Sequence, residues 1–518
     1  MTIPNRSVIL RVADEISVAL EKHFWHYAAL FGIVLLACAI VQDVRAKMWI
    51  DELYTLHMSQ QASPGEIVRA TLEGCDGAPP LYAIIVRAIL PWVPHQALAV
   101  RLPATLGFCG MAICLLAFCR RRLPAVYAFV AALLACDTCR YYSTEGRGYG
   151  VALGCAAGAL LCWQTAADGK RRVLAIPLLA FCLALMTAMH YYSVFFLAPL
   201  FLAEMVRWRM SGKLDIAILA SMVPVLLVLG LHYPLIAAGK RFQEYYWSPA
   251  VLRSIPELYS GYFDVAQKCM LLAVGLLAVF STTPDRRSAR QAGLTLFEWV
   301  ATGSLLLMPL CVVVLSRYTT HVFVDRYTLW AVTGIAVMVT ALLCAAARGK
   351  TAVGVGVLGL LAVGFAWHQV NVLRKMPVLR EGEAVHQELV RLPDSSEPIV
   401  IADHHVFMEL SYYSAPRLRE RLIYPLSRDL DLRYVGYDTG SLLMSALSHR
   451  TKLPVFAYDA VLAAHPRFVL AATSKNYLPW HLVRAGYSVI PIGLSKAPVL
   501  YEVEAPGGKG SGSLTWEP

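Results

Sequence analysis

The chain has 518 residues, of which 58% are hydrophobic and 16% are charged, and its formal net charge is +11. A soluble enzyme of this length carries more charge, so the composition excludes that class. The basic residues stand mostly in short clusters between apolar runs, a placement typical of membrane topology signals and not of a nucleic-acid-binding surface. Nucleic acid is therefore not an expected partner.

The cysteines and the first residues add two constraints. Most of the 13 cysteines stand within apolar runs, where Cys acts as a small hydrophobe. Cys136 and Cys139 have CxxC spacing, but without a second pair or a nearby His they favour packing over a metal or redox role. The region after Val370 has no cysteine, so we expect no disulfide framework there. Residues 1–26 are polar and charged, and we expect a cytoplasmic segment, not a cleaved signal peptide.

Apolar runs of near 20 residues, the length that crosses a hydrocarbon core of about 30 Å, follow one another from Tyr27 to Val370. They predict a polytopic α-helical membrane protein with about eleven transmembrane helices. The predicted spans are Tyr27–Val44, Leu98–Cys119, Pro124–Thr138, Gly146–Ala166, Val173–Ala188, Tyr192–Arg207, Leu214–Ala237, Val265–Ser281, Leu294–Ser316, Tyr327–Ala347 and Val353–Val370.

Basic clusters between the spans predict the topology. If the amino terminus is cytoplasmic, all five clusters face the cytoplasm, as the positive-inside rule expects. The apolar segment Pro80–Trp92 is too short to span and is interpreted as an interfacial or re-entrant helix within a long first external loop, residues 45–97. The odd number of spans then places the region after Val370 outside. The clusters are Arg120-Arg121-Arg122, Lys170-Arg171-Arg172, Arg207 to Lys213, Arg286-Arg287 with Arg290, and Arg348 with Lys350.

Residues 371–506 have the composition of a globular domain and alternate helix-like with strand-like segments. This order predicts a small α/β domain, which lies in the periplasm if the cell is a Gram-negative bacterium. Residues 507–518 are rich in Gly and Ser and predict a flexible tail. The predicted segments are helix Val378–Arg391, strand Pro398–Ala402, helix Phe407–Tyr413, strand Arg467–Ala472, helix Leu478–Ala485, and strands Ser488–Ile492 and Val499–Val503.

Polar residues gather at the predicted external ends of the spans. Asp51 and Glu52 follow the first span, where a carboxylate pair can bind a cation or act as a general base. Acidic residues at the start of a helix, favoured by its dipole, are the alternative. His190 lies on a short external turn, where a satisfied interfacial residue is the alternative to a ligand.

Further external segments combine Arg and Glu with aromatic residues. Tyr142 to Tyr149 contains Glu145 and Arg147, which can recognise phosphate or sugar, and a structural ion pair between helices is the alternative. Asp325-Arg326-Tyr327 precedes the tenth span, and Arg241 lies in another aromatic-rich external loop. Interfacial anchoring explains part of this pattern.

The order of these motifs, all on one predicted face, resembles the GT-C superfamily of polyprenyl-phosphate-sugar-dependent glycosyltransferases, in the branch with ArnT and the protein O-mannosyltransferases. The resemblance covers roughly Trp49 to Ala347. In two places the chain departs from the family: Ala78 stands where ArnT-like members carry Lys, and Gly148 stands where Pro is common. The first departure argues against ArnT itself and its aminoarabinose donor. The matching residues are Asp51-Glu52, Pro79-Pro80-Leu81-Tyr82, Arg101-Leu102-Pro103, Tyr142 to Tyr149 and Asp325-Arg326-Tyr327.

The resemblance implies an inverting glycosyltransferase that moves a sugar from a polyprenyl-phosphate donor to a lipid, glycan or protein acceptor. The reaction would take place in contact with membrane lipids, at the periplasmic face of the inner membrane. Asp51 would be the catalytic base and Glu52 its partner or a cation ligand, while Arg147, Arg326 and Arg241 would receive the phosphate. The remaining implied substrate-binding residues are Tyr54, Tyr82, Tyr142, Glu145, Tyr149, His190, Asp325 and Tyr327.

Two questions stay open at the level of sequence. A divalent cation such as Mg²⁺ or Mn²⁺ on Asp51 and Glu52 is permitted but not required. Asp403-His404-His405 in the external domain can also bind a metal, although a polar turn after a strand is favoured. A lipid or polysaccharide transporter or flippase is the alternative function, disfavoured because the predicted spans hold almost no acids. A non-catalytic assembly subunit is a third hypothesis.

Overall fold

The computed structural model describes residues 6–280, 293–375, 378–392, 396–473, 475–492 and 499–506. The predicted cluster of Arg286, Arg287 and Arg290 and the predicted tail 507–518 lie outside the described residues. Helices up to Lys375 are α1 (Arg6–Lys22), α2 (Phe24–Arg45), α3 (Ile50–Ser59), α4 (Pro64–Glu73), α5 (Leu81–Ile89), α6 (Gln96–Arg120), α7 (Ala125–Thr138), α8 (Tyr149–Ala167), α9 (Arg172–Met189), α10 (Leu197–Ser211), α11 (Ile216–Ala220), α12 (Val223–Gly239), α13 (Ser254–Phe280), α14 (Leu296–Tyr318), α15 (Ala331–Ala346) and α16 (Thr351–Lys375).

These helices make the chain a polytopic α-helical membrane protein. Among the described residues, seven segments are long and apolar enough to cross a membrane, namely α2, α6, α8, α9, residues 216–242, α14 and α16. The apolar helices α7 and α15 are shorter, with 14 and 16 residues. A helix is present at each of the eleven predicted positions, but the count of eleven membrane crossings remains a prediction. The segment Pro80–Trp92 contains the nine-residue helix α5, which at about 1.5 Å per residue is too short to cross a membrane.

The chain divides into two compact units. The bundle unit consists of Met1–Arg45, Ala88–Pro234 and Ser248–Lys375. The carboxy-terminal unit consists of Ala46–Arg87, Leu235–Trp247 and Met376–Pro518. This division groups most of the first loop with the carboxy-terminal domain, whereas the sequence prediction kept it with the membrane helices.

Close packing of α6 against α8 forms the centre of the bundle unit. A side chain on Gly107 would bring its Cβ within 2.5 Å of the Gly150 carbonyl oxygen, and one on Gly150 would overlap the backbone of Ala104. A side chain on Gly154 would in turn overlap the backbone of Gly107. Small residues four positions apart allow the two helix backbones to approach each other closely. In lipid no hydrophobic effect drives helices together, so dispersion contacts between closely packed helices hold them instead.

Ion pairs join the helix termini at one end of the bundle unit. Arg122 after α6 contacts Glu298 of α14 at 2.9 Å and Asp168 after α8 at 2.6 Å. Gln164 also donates to Glu298, whose side chain is fully buried. Both carboxylate oxygens of Glu298 therefore have a cationic or amide partner, as burial in a low-dielectric interior requires.

A second set of ion pairs lies among the neighbouring helix termini. Arg172 at the start of α9 and Arg207 in α10 both bind Asp215, each at 2.7 Å. Arg207 also binds Glu204, which accepts a hydrogen bond from Trp163 near the end of α8. The structure thus brings three predicted basic clusters to the same set of helix termini. Which side of the membrane these termini face remains a prediction.

The carboxy-terminal unit contains a six-stranded sheet of order β3-β2-β1-β4-β6-β5. The first four strands in this order are parallel, and β6 and β5 add an antiparallel edge. The predicted α/β architecture is confirmed. Its elements are α17 (Glu383–Arg391), β1 (Ile399–Ile401), α18 (His404–Tyr413), α19 (Pro416–Arg419), β2 (Leu422–Leu426), α20 (Arg428–Tyr434), α21 (Thr439–Ser448), β3 (Val455–Ala457), α22 (Tyr458–Ala464), β4 (Arg467–Ala471), α23 (Leu478–Arg484), β5 (Ser488–Ile492) and β6 (Leu500–Glu504).

Candidate functional site

A group of aromatic rings surrounds His190 at the end of the bundle unit where α8 begins and α9 ends. We call this group the His190 cluster; the centroid of the His190 ring lies 5.5 Å from Tyr149, 5.9 Å from Tyr192, 4.9 Å from Tyr327 and 5.6 Å from Trp330. Tyr142 extends it, 5.5 Å from Tyr149. Since α8 is 19 residues long, about 28 Å separates this end from the ion pairs at the other.

Three polar atoms in this region are buried without a hydrogen-bond partner among the described residues. They are His190 Nδ1, Trp330 Nε1 and Ser193 Oγ. Trp330 is 1% and His190 9% exposed, so water does not readily satisfy them. A buried N–H group without a partner costs about 1–3 kcal/mol, and such groups in native structures commonly mark the place of a ligand or of ordered water.

Positive charge lies beside these rings. The Arg326 guanidinium is 5.7 Å from the centre of the Tyr149 ring, and both Arg147 and Arg326 act electrostatically on His190. Glu145, 2% exposed, acts on Tyr142 in the same way. The cluster therefore combines ring faces, N–H donors and two guanidinium groups, the set that recognises a phosphate or a sugar hydroxyl.

A buried hydrogen-bond network holds one side of this region. Arg101 donates to the backbone carbonyl of Asp43 at 2.8 Å, and Thr105 donates to the Asp43 carboxylate at 2.7 Å. Thr105 also lies 3.0 Å from the carbonyl oxygen of Ser143. The Arg-Leu-Pro motif thus ties α2 and α6 to the turn that precedes Glu145. Asp43 and Asp137, both buried, each stand one residue before the end of a predicted span.

The turn that carries Asp325-Arg326-Tyr327 is held by its backbone. Tyr262 of α13 donates to the Asp325 carbonyl at 2.8 Å, while the Asp325 side chain is exposed. Tyr192 donates to the Val322 carbonyl at 3.1 Å and lies with its ring 4.8 Å from Tyr327. These contacts fix the position of Arg326 and Tyr327. Asp325 contributes to them through its backbone carbonyl, which is a structural role.

In the carboxy-terminal unit, Asp51 and Glu52 occupy the first turn of α3. The Glu52 carboxylate accepts the N–H of Trp49 at 3.2 Å and is 1% exposed, so it closes the amino end of its own helix. Asp51 is half-buried. The segment before α3 is anchored to α18, since Met48 N–H donates to Tyr413 at 2.6 Å and Lys47 lies over the Tyr413 ring.

Asp51 lies within electrostatic range of His404 and His405 at the start of α18. Burial, together with a smaller effect from the charge of His405, lowers the pKa of His404 to about 3. Burial alone would raise the pKa of Asp403, but its hydrogen bond with His405 and the charges of both imidazoles hold that pKa well below its usual range. Burial lowers the pKa of His405, but its hydrogen bond to Asp403 and the negative charges of Asp403, Glu381 and Asp51 together outweigh that effect, so the pKa is raised.

Three further predicted site residues lie in the carboxy-terminal unit. Arg241 donates to the carbonyls of Leu72 and Glu73 at the end of α4, and to Ala238 at 2.9 Å. This arginine therefore caps a helix within its own unit. Tyr54 and Tyr82 are buried on α3 and α5, with 3% and 4% exposure.

The predicted site residues thus form two groups, one in each unit. Tyr142, Glu145, Arg147, Tyr149, His190, Asp325, Arg326 and Tyr327 belong to the bundle unit, and Asp51, Glu52, Tyr54, Tyr82 and Arg241 belong to the carboxy-terminal unit. Sequence reasoning missed Trp330 and Ser193. An indole three residues after the Asp-Arg-Tyr motif was the available signal for Trp330, but it was counted as part of a predicted span.

Comparison with known proteins identifies the fold of the chain. No protein-family model matches the chain, and no curated protein matches it significantly. The crystal structure of ArnT from Cupriavidus metallidurans bound to undecaprenyl phosphate aligns with a TM-score of 0.53 and 12% identity over 92% of this chain and 98% of that one. The apo form of the same protein, at 11% identity, covers the same shares with a TM-score of 0.42.

An oligosaccharyltransferase from Archaeoglobus fulgidus, in complex with Zn and sulfate, aligns with a TM-score of 0.42 and 10% identity over 90% of this chain and 73% of that one. Similarity at that score is too low to support an inference. The ArnT comparison at 0.53 shows that the chain has the GT-C fold, a bundle of membrane helices followed by a smaller domain. At 12% identity it shows the fold alone.

Proposed function

We propose that this GT-C-fold membrane protein is an inverting glycosyltransferase that takes its sugar from a polyprenyl-phosphate-linked donor. The observation that carries the proposal is the His190 cluster, where the buried Trp330 N–H and His190 Nδ1 have no hydrogen-bond partner among the described residues and Arg147 and Arg326 act electrostatically on His190. The fold supports it, because the ArnT structure with the same fold was determined with undecaprenyl phosphate bound. The acceptor is a lipid, a glycan or a protein, reached at the periplasmic face of the inner membrane.

The cluster supplies what a departing polyprenyl phosphate needs. As the bond between the anomeric carbon and the phosphate oxygen breaks, its electron pair stays on the phosphate, which gains negative charge. Arg326 and Arg147 neutralise that charge, and the Trp330 N–H donates a hydrogen bond to it. Tyr149 and Tyr327 present ring faces to the sugar or to the first isoprene unit. Desolvated donors act strongly there because little water competes with them.

Asp51 is the proposed general base. The acceptor hydroxyl loses its proton to the Asp51 carboxylate as its oxygen attacks the anomeric carbon, opposite the departing phosphate, so the anomeric configuration inverts. Glu52 is excluded from this role in our proposal because its carboxylate closes the first turn of α3. We likewise leave Arg241 out of the phosphate site, because its guanidinium is engaged by backbone carbonyls.

A cation held by Asp51 and Glu52 fits these residues poorly. Glu52 is buried and bonded to the Trp49 backbone, and among the described residues these two carboxylates belong to no group of three clustered metal-ligating side chains. We therefore route no step of the reaction through a cation on this pair.

The test is transfer by the purified full-length protein from undecaprenyl-phosphate-linked sugars to a total envelope extract, read by mass spectrometry of the products. Asp51→Asn should reduce transfer about 100- to 10,000-fold, the contribution of a positioned general base. Asp76→Asn is the matched control. Asp76 accepts the N–H of Ala78 in a local turn, which Asn preserves, so activity should stay near that of the wild type.

Full activity of the Asp51→Asn protein would remove Asp51 from the mechanism. Absence of any transfer by the wild type, together with movement of an undecaprenyl-phosphate-linked sugar across proteoliposome membranes, would instead support the transporter or flippase alternative.

A further inference from the structure

We propose that Asp403, His404 and His405, in the carboxy-terminal unit, form a binding site for a divalent transition-metal ion of the zinc class. One potential ligand atom from each of the three side chains lies within 4.8 Å of the others. Among the described residues this is the one group of three or more His, Cys, Asp or Glu side chains arranged in this way. The proposal does not depend on the glycosyltransferase assignment.

The position of the group in the sheet is one at which α/β domains bind ligands. The group directly follows β1. In the sheet order β3-β2-β1-β4, strands β2 and β3 lie on one side of β1, and the chain then crosses to β4 on the other side. In open α/β sheets, ligands bind beyond the carboxyl ends of the strands at such a topological switch point. Asn476, after β4, reaches towards Asp403 across this crevice, with its amide nitrogen 3.5 Å from the carboxylate.

The surroundings hold the three side chains in place. Asp403 accepts the N–H groups of His405 at 2.8 Å and Val406 at 3.3 Å, and its carboxylate lies 3.3 Å from the His405 imidazole. The two imidazole rings are 4.1 Å apart. The His404 ring packs against Gly440, where an added Cβ would lie 2.7 Å from the ring. Ligands fixed by such outer contacts bind metal more tightly than free side chains do.

The chemistry of the set selects the type of ion. Two imidazoles and one carboxylate suit Zn²⁺, Co²⁺ or Ni²⁺, whereas Mg²⁺ prefers oxygen ligands alone. The amino end of α18 repels a cation, and the Asp403 carboxylate that caps it offsets this repulsion, with Asp51 adding further negative charge. Side-chain exposure of 33% for Asp403 and 41% for His405 gives an ion access. Three protein ligands leave a fourth position for water or for an anionic group.

The test is metal binding by the full-length protein, stripped with a chelator in detergent and titrated with Zn²⁺ alone. The wild type should bind one ion with saturation, and Co²⁺ in its place should give the visible absorption of a tetrahedral site. Replacing both His404 and His405 with Ala should weaken binding by more than about 100-fold, because losing ligands costs more than losing the outer contacts that orient them. His449→Ala is the control, because His449 is an exposed histidine at the carboxyl end of α21. This variant should bind Zn²⁺ like the wild type.

A second variant separates metal binding from folding. Asp403→Asn keeps a side chain that caps α18 well, so the melting temperature of the metal-free protein should not change while Zn²⁺ affinity falls. Unchanged affinity in this variant and in the double His variant would overturn the proposal, as would a wild type that shows no saturable binding. None of these measurements requires sugar transfer, so their outcome is distinguishable from that of the transfer assay.

Discussion

At the start of α3, successive side chains point in directions about 100° apart, so Asp51 and Glu52 meet different surroundings. Glu52 turns back to the Trp49 backbone, and Asp51 faces the electrostatic field of the histidines that begin α18. A sequence pattern treats two adjacent carboxylates as one feature. Only the helix geometry separates a structural carboxylate from a candidate base.

The Trp330 indole provides a test of the phosphate site at the scale of one hydrogen bond. Trp330→Phe keeps an aromatic ring but removes the N–H, so it should weaken binding of undecaprenyl phosphate about 10-fold or more, since hydrogen bonds to charged groups contribute about 1.5–3 kcal/mol. Binding is measured on the purified protein by native mass spectrometry or by a radiolabelled-lipid assay.

Trp92→Phe is the matched control, because Trp92 is 84% exposed in the same unit. Its affinity for undecaprenyl phosphate should equal that of the wild type. Equal affinity in the Trp330→Phe protein would show that the indole does not contact the phosphate.

At the scale of the elements, the positions of the helices were predicted well from the sequence, whereas some strands and the packing partners of the helices were not. Most helix boundaries were predicted to within about five residues, because a run of about 20 apolar residues has few alternatives. The exceptions are α13, which begins at Ser254 instead of Val265, and the predicted Leu214–Ala237, which is divided into α11 and α12. In the sheet, β2 and β3 were not predicted from the sequence. Which helices pack together was not predictable either, since Gly107 and Gly154 carry no signal of their partner until both helices are in place.

The glycine contact between α6 and α8 predicts that two Gly→Ala substitutions in α6 differ in their effect on stability. Gly107→Ala should destabilise the protein by about 1–3 kcal/mol, because the new methyl group meets the Gly150 carbonyl and forces the helices apart. Thermal unfolding in detergent measures the effect as a lower melting temperature.

Gly110→Ala, three residues further along α6, is the internal reference. A Cβ at Gly110 meets nothing within 4 Å, so this change should leave the melting temperature unchanged or raise it slightly through the helix propensity of Ala. Equal melting temperatures of the two variants would argue against close packing at Gly107.

In the bundle unit, residues of three predicted basic clusters lie at the end opposite the His190 cluster. Arg122, Arg172 and Arg207 lie among ion pairs at one end, and the His190 cluster lies at the other. Basic clusters in the sequence predicted this segregation, because short charged loops follow a simple rule. The sequence could not predict that residues 46–87 join the carboxy-terminal domain in one unit, since nothing local links segments so far apart in the chain.

The orientation of the chain is testable by labelling in spheroplasts with a membrane-impermeant maleimide. Lys452→Cys in the carboxy-terminal domain should react, and Lys213→Cys in a basic loop should react only after the membrane is opened; both positions are exposed. Cys311→Ser is the background for both variants, because Cys311 is the exposed native cysteine. Labelling of Lys213→Cys in sealed spheroplasts would reverse the predicted topology.

The three-part composition of the carboxy-terminal unit also has a consequence for biosynthesis. The segment Ala46–Arg87 leaves the ribosome early, yet the residues that complete its unit begin at Met376. With about 290 residues between them and synthesis at about 5–20 residues per second, the early segment waits about 15–60 s for its partner. During that interval α3 is without α18, against which it packs in the finished unit. A nascent chain of this kind should therefore depend on chaperones on the side of the membrane where the loop emerges.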